Sequence, residues 1–97
     1  MNITFPDTTT ADTTGSVTFP AIVDGIQEII CTATADAIIE ISPSDPLHHE
    51  AEHKYLALFT AYREHFEAIA TEIIEASESL PDKVTITADD VLQYLAD

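Results

Sequence analysis

Basic residues are almost missing from this sequence. Lys54, Arg63 and Lys83 are the only three among 97 residues, against 18 Asp and Glu, and the formal net charge is −15. Three cations make no basic footprint of the kind nucleic acids require, so the composition argues against direct binding to DNA or RNA. Glycine is scarce as well: Gly15 and Gly25 alone cannot build a Gly-rich loop that cradles phosphate. Cys31 has no second cysteine to pair with, so no intrachain disulfide forms, and its apolar surroundings are those of a small buried side chain. No apolar run approaches the ~20 residues needed to span a bilayer. The first residues carry neither the basic nor the apolar stretch of a signal peptide. These absences point to a soluble protein of a reducing cytoplasm, with no membrane, cofactor or small-molecule substrate expected.

What is present is apolar enough to fold. Hydrophobic residues make up 45% of the chain, with four Phe and three Tyr, which is too much for a disordered acidic tail. The length fits one acidic domain over residues 1–97. Most of its carboxylates cannot be neutralised internally, and their mutual repulsion destabilises the compact state. Solubility, a high-salt cytoplasm and cation binding are ordinary reasons for such a charge. The Ile and aromatic load argues against the second, and EF-hand spacing is absent.

Hydropathy patterning predicts an α+β fold: a small antiparallel sheet of about three or four strands, one long amphipathic helix, and one or two short helices. Ile3-Thr4-Phe5 alternates as a short strand and stops at Pro6. Residues 7–15 are Thr-rich and read as a loop. Val17-Thr18-Phe19 resumes the alternation, Pro20 interrupts it at a strand edge or bulge, and Asp24-Gly25 marks a hairpin turn between Ala21–Val23 and Ile26–Thr34. Thr34 caps a short helix over Ala35–Ile41. Asp45 as N-cap and Pro46 at the first helical position then open the long helix. Its apolar residues recur in steps of three and four from Leu47 through Tyr55, Leu58, Tyr62, Phe66 and Ile69 to Ile73, and it runs to about Glu78 unless kinked. Pro81-Asp82 ends it, Lys83–Thr87 alternates as another strand, and Thr87 caps a last helix that has Asp89 and Asp90 in its first turn.

On a wheel of ~100° per residue, Glu50, Glu64, Glu67, Glu75 and Glu78 fall opposite the apolar face, with Glu52 and Glu72 on the flanks. Glu64 and Glu75, like Glu67 and Glu78, are then about 16 Å apart along the axis. Asp82, Asp89 and Asp90 continue the acids beyond the helix. An ordinary solvated face interleaves Lys or Arg with Glu at i, i+4; this one mostly does not. A row of unneutralised carboxylates on a firm scaffold resembles a row of phosphates, and gains from steering and counterion release as DNA does.

One motif suggests other chemistry. His49-Glu50-Ala51-Glu52-His53 matches H-E-x-x-H, in which two His on one helix face hold zinc and the Glu activates water. Charged Glu52 and Lys54 are poor context for a catalytic helix. His65 or Glu72 is a candidate third ligand, and His48, His49 and His53 could bind a metal adventitiously.

Met1-Asn2-Ile3 with Phe5-Pro6, Val17-Thr18-Phe19, Ile26–Cys31, Phe59 with Tyr62-Arg63-Glu64, Ile69-Ala70, and Val84–Thr87 before Asp89 together resemble a family of small bacterial proteins classed only as a domain of unknown function. That resemblance implies a compact α+β fold and no established activity. In size and acidity the chain is also similar to phage-encoded DNA mimics, above all type I-F anti-CRISPR proteins. This implies a partner in the basic channel or PAM-reading site of the type I-F CRISPR surveillance complex. The leading expectation is therefore a non-catalytic DNA mimic in which Glu64, Glu67, Glu75, Glu78, Asp82, Asp89 and Asp90 replace phosphates on the surface of a basic DNA-binding protein. An acidic interaction module without mimicry comes second, and a small metal-dependent hydrolase through His49, Glu50 and His53 third.

Overall fold

The computed structural model describes residues 2–11, 15–41 and 53–96. Among them are five strands and four helices in the order β1 (Ile3–Thr4), β2 (Thr10–Ala11), β3 (Val17–Val23), β4 (Gln27–Ala33), α1 (Ala35–Ile41), α2 (His53–Ala61), α3 (Arg63–Ala76), β5 (Lys83–Ile86) and α4 (Ala88–Ala96). The α+β expectation holds, with one strand more than the three or four expected. β1 and β2 both pair with β3, which pairs with β4, which pairs with β5.

Strict alternation builds the sheet. Val17, Phe19, Ala21 and Val23 of β3, Ile29, Cys31 and Ala33 of β4, and Val84 and Ile86 of β5 are buried on one face, beneath the helices. The residues between them are half-buried or exposed, as in a sheet with one wet face. Asp24 and Gly25 form the expected turn with φ of 54° and 74°, the paired left-handed geometry that favours Asp-Gly in hairpins. The backbone of Asn2 closes on Asp24 from β1's side, donating to the Asp24 carboxylate at 2.8 Å and accepting from the Asp24 N–H at 2.6 Å.

Three expectations need correction. The Thr-rich segment is not all loop, because Thr10–Ala11 pairs with Val17–Thr18. Pro20 does not interrupt the strand: β3 runs through it in register with β4. β1 covers Ile22 and Val23 and β2 covers Val17 and Thr18. The outer edge is thus open at Pro20, where a missing N–H costs nothing. The sheet is also not wholly antiparallel. β5 runs parallel to β4, from Ile30↔Lys83 to Ala33↔Ile86, because the chain crosses over through the helices before returning, as a parallel neighbour requires.

The long helix is divided. Its expected start at Asp45 and Pro46 lies outside the described residues. Farther on, Tyr62 leaves helical geometry with φ −114° and ψ 21°. Its N–H is shared between the carbonyls of Leu58 and Phe59, both at 3.1 Å, while its own carbonyl accepts from His65 at 3.0 Å. The break lets α2 pack on β2, β3 and α1 while α3 packs on β5 and α4. α3 stops at Ala76, where Ser77 turns extended with ψ 137°.

All four phenylalanines join across these elements. Phe5 meets Phe19 at 6.1 Å between centroids, Phe19 meets Phe59 at 5.0 Å, and Phe59 stacks on Phe66 at 5.0 Å, within the range of favourable ring pairs. Cys31 is fully buried beside them in the same core, and burial pushes its thiol up from 9.0 to about 11. The unfolded thiol ionises first, so the folded state holds more protons above pH 9. Its contribution to stability is complete below pH 9 and declines as pH rises toward 11. Between pH 8 and 10.5, urea midpoints should fall further for the wild type than for Cys31→Ala. A thiol reagent at pH 8 should label Cys31 only on unfolding; rapid labelling of the folded protein would contradict this burial.

Candidate functional site

α3 presents the acids because its other face is consumed by the core. Phe66, Ile69, Ala70 and Ile74 are buried, and Glu64, Glu72 and Glu75 point away from them and are exposed. Glu64 and Glu75 lie in one unbroken helix, so their spacing of about 16 Å holds. Glu64 sits in the first turn of α3, where the helix dipole favours a carboxylate. Glu78 is exposed but lies past Ala76, on the turn that leads to Asp82. The expected helical spacing from Glu67 to Glu78 therefore does not apply. Asp82 is exposed just before β5, and Asp89 is exposed in the first turn of α4.

Two of the seven expected phosphate positions serve the fold. Glu67 is held by Arg63, whose Nε donates to its Oε2 at 2.7 Å across one helical turn. The same guanidinium donates to the Pro6 carbonyl at 2.5 Å and lies 6.0 and 5.7 Å from the ring centroids of Phe19 and Phe59. Arg63 thus spends its charge pinning the β1 side of the molecule to α3. Asp90 closes a capping box. Its Oδ2 accepts from the Thr87 N–H at 2.9 Å and the Thr87 hydroxyl at 3.0 Å, and its own N–H donates to Thr87 Oγ1 at 3.3 Å. Thr87 followed three residues later by Asp90 is itself a capping signal, so this double use was readable. The claim of Arg63 on Glu67 was readable from its i, i+4 spacing.

Between α3 and α4 runs an open groove of about 190 Å³ that sequence reasoning missed. Ile69, Ile73 and Ala76 line it from α3 beside Glu72; Asp90, Gln93 and Tyr94 line it from α4. The Tyr94 hydroxyl lies 3.1 Å from His65 Nδ1, and the two rings meet edge-on at 5.7 Å. His65, once a candidate metal ligand, is thus engaged in joining the two helices. No periodicity signals such a groove, because it depends on how α4 docks against α3. Of the H-E-x-x-H segment and its neighbour His48, His53 opens α2; His48, His49, Glu50 and Glu52 lie outside the described residues. Among the described residues, no group of three or more His, Cys, Asp or Glu side chains is placed to hold a metal, and no helix is long and apolar enough to cross a membrane.

A family model described as "Protein of unknown function (DUF1488)" matches residues 3–86. The match takes in every described strand and α1 to α3, with Glu64, Glu67, Glu75, Glu78 and Asp82, and stops short of α4. No curated protein and no solved structure matches.

Cap and display can be separated by mutation. Asp90→Ala should cost about 1 kcal/mol, as loss of a helix cap does, and lower the urea midpoint. Glu75→Gln should leave the midpoint unchanged or raise it slightly by relieving repulsion. Equal midpoints for the two variants would contradict the assignment of Asp90 to the cap.

Proposed function

The chain belongs to the DUF1488 family, and we propose that it works by binding, without catalysis, to a cationic protein surface of the kind that otherwise holds a DNA backbone. The observation that carries this is the exposed row Glu64, Glu72 and Glu75 on α3, continued by Glu78, Asp82 and Asp89. Among the described residues the one ion pair is Arg63–Glu67, so none of these six pairs with a described cation. The fold makes α3 firm at its start, through Arg63 to Pro6 and through His65 to Tyr94. A firm acidic row gains affinity because its charges need little reordering on binding, and because a cationic groove is relieved of its own repulsion.

The receptor that likeness in size and acidity puts first is the type I-F CRISPR surveillance complex, with the protein acting in the cytoplasm of a bacterial host as an inhibitor of target-DNA recognition. The family match adds no support to that particular receptor. A second reading, an acidic module for basic protein segments, is favoured by the groove. Its apolar wall suits the aliphatic stem of a Lys or Arg, and Glu72 and Asp90 suit the charged head.

Competition separates the two. A mimic should displace duplex DNA from its receptor, and its affinity should fall at least about tenfold between 50 and 200 mM salt, as for ligands held by several charge contacts. The same protein added to the type I-F complex should block DNA loading. Binding that is insensitive to salt, or a complex that holds both DNA and this protein, would overturn the mimic reading; the second outcome would favour the module.

A further inference from the structure

On the sheet face turned away from the helices, acids do not dominate. Pairing places its residues in rows. Thr10, Thr18, Thr32 and Thr85 lie side by side on four neighbouring strands, with the Thr18 and Thr32 hydroxyls 3.3 Å apart. Pro20, Ile30 and Lys83 form the next row, and Thr4, Ile22 and Glu28 the next. Among the described residues of these rows there is one acid and one base, in a chain with net charge −15. Ile30 is 36% exposed, and Lys83 makes no ion pair with any described residue.

We propose that this face binds a second copy of the chain about a two-fold axis, with Pro20, Ile22 and Ile30 at the centre and Glu28 of each copy against Lys83 of the other. Charge selects the occupant. Two copies that meet through α3 oppose carboxylate rows. Two that meet sheet to sheet oppose neutral surfaces, whose single charges have opposite signs and become complementary under a two-fold. Strand spacing and rise give the face roughly 400 Å² on each copy. The roughly 800 Å² buried in total lies below the 1,200–2,000 Å² of stable complexes, so the dimer should be weak.

The test is sedimentation velocity on the whole chain from about 10 μM to 1 mM, at low and at physiological salt. The expected result is a dimer that grows with concentration and with salt, because salt screens the repulsion between two strongly acidic bodies. This is the opposite salt trend to receptor binding through α3, so the fate of one proposal does not decide the other. Ile30→Glu and Lys83→Glu should each weaken the dimer at least tenfold. Glu28→Lys combined with Lys83→Glu should restore it, and Glu64→Gln should leave it in place. Should Ile30→Glu fail to fold, the two surface charge variants still decide the matter. A monomer under all these conditions, or a dimer indifferent to Lys83→Glu, or no rescue by the swap, would overturn the proposal.

Discussion

The contact chain from Phe5 through Phe19 and Phe59 to Phe66 is what the rest of the molecule depends on. It ties the start of the chain, the sheet, α2 and α3 into one core. In a chain with 18 acids and three bases, apolar packing has to outweigh charge repulsion as well as chain entropy. Arg63 lies over two of these rings and reaches both Glu67 and Pro6. One of only three cations is thereby withdrawn from the surface. Internal packing and external charge are coupled at that residue: the cation that holds α3 in place is spent on Glu67 and Pro6 and not on the outward carboxylates of α3.

Much of this was legible where a local rule decides the outcome. The Asp24-Gly25 turn, the Thr34 and Thr87 caps and the alternation in β3, β4 and β5 each depend on a few neighbouring residues. The structure has them where the pattern put them. What was not legible depends on distant partners. Nothing in Lys83–Ile86 states that it will lie parallel to β4, and nothing around Pro20 states that β1 and β2 will leave a gap there. The apolar period runs through Tyr62 without a fault, yet the helix breaks, because α2 and α3 must each reach a different part of the sheet edge and α4.

The acidic face was legible as a face but not as a census. The wheel put Glu67 among the free acids and projected the helix onto Glu78. The structure gives Glu67 to Arg63 and ends α3 at Ala76. It also divides Asp90 between cap and surface. The display that remains is smaller and firmer than the composition implied, with Glu64, Glu72 and Glu75 on α3 and Glu78, Asp82 and Asp89 beyond it. On the opposite side of the molecule the sheet face is close to neutral. A strongly acidic chain thus carries two surfaces of different electrostatic character, and only one of them is suited to a cationic partner.

The most direct question is whether position or mere quantity of charge matters. It is answered by measuring receptor affinity for two variants of equal net charge. One carries Glu64→Gln, Glu72→Gln and Glu75→Gln on α3. The other carries Asp24→Asn on the hairpin with Asp36→Asn and Glu40→Gln on α1. A directed acidic surface predicts a loss of about tenfold or more for the first, with near wild-type affinity for the second. Equal losses in both would show that net charge alone drives binding, and would contradict the assignment of α3 as the contact surface.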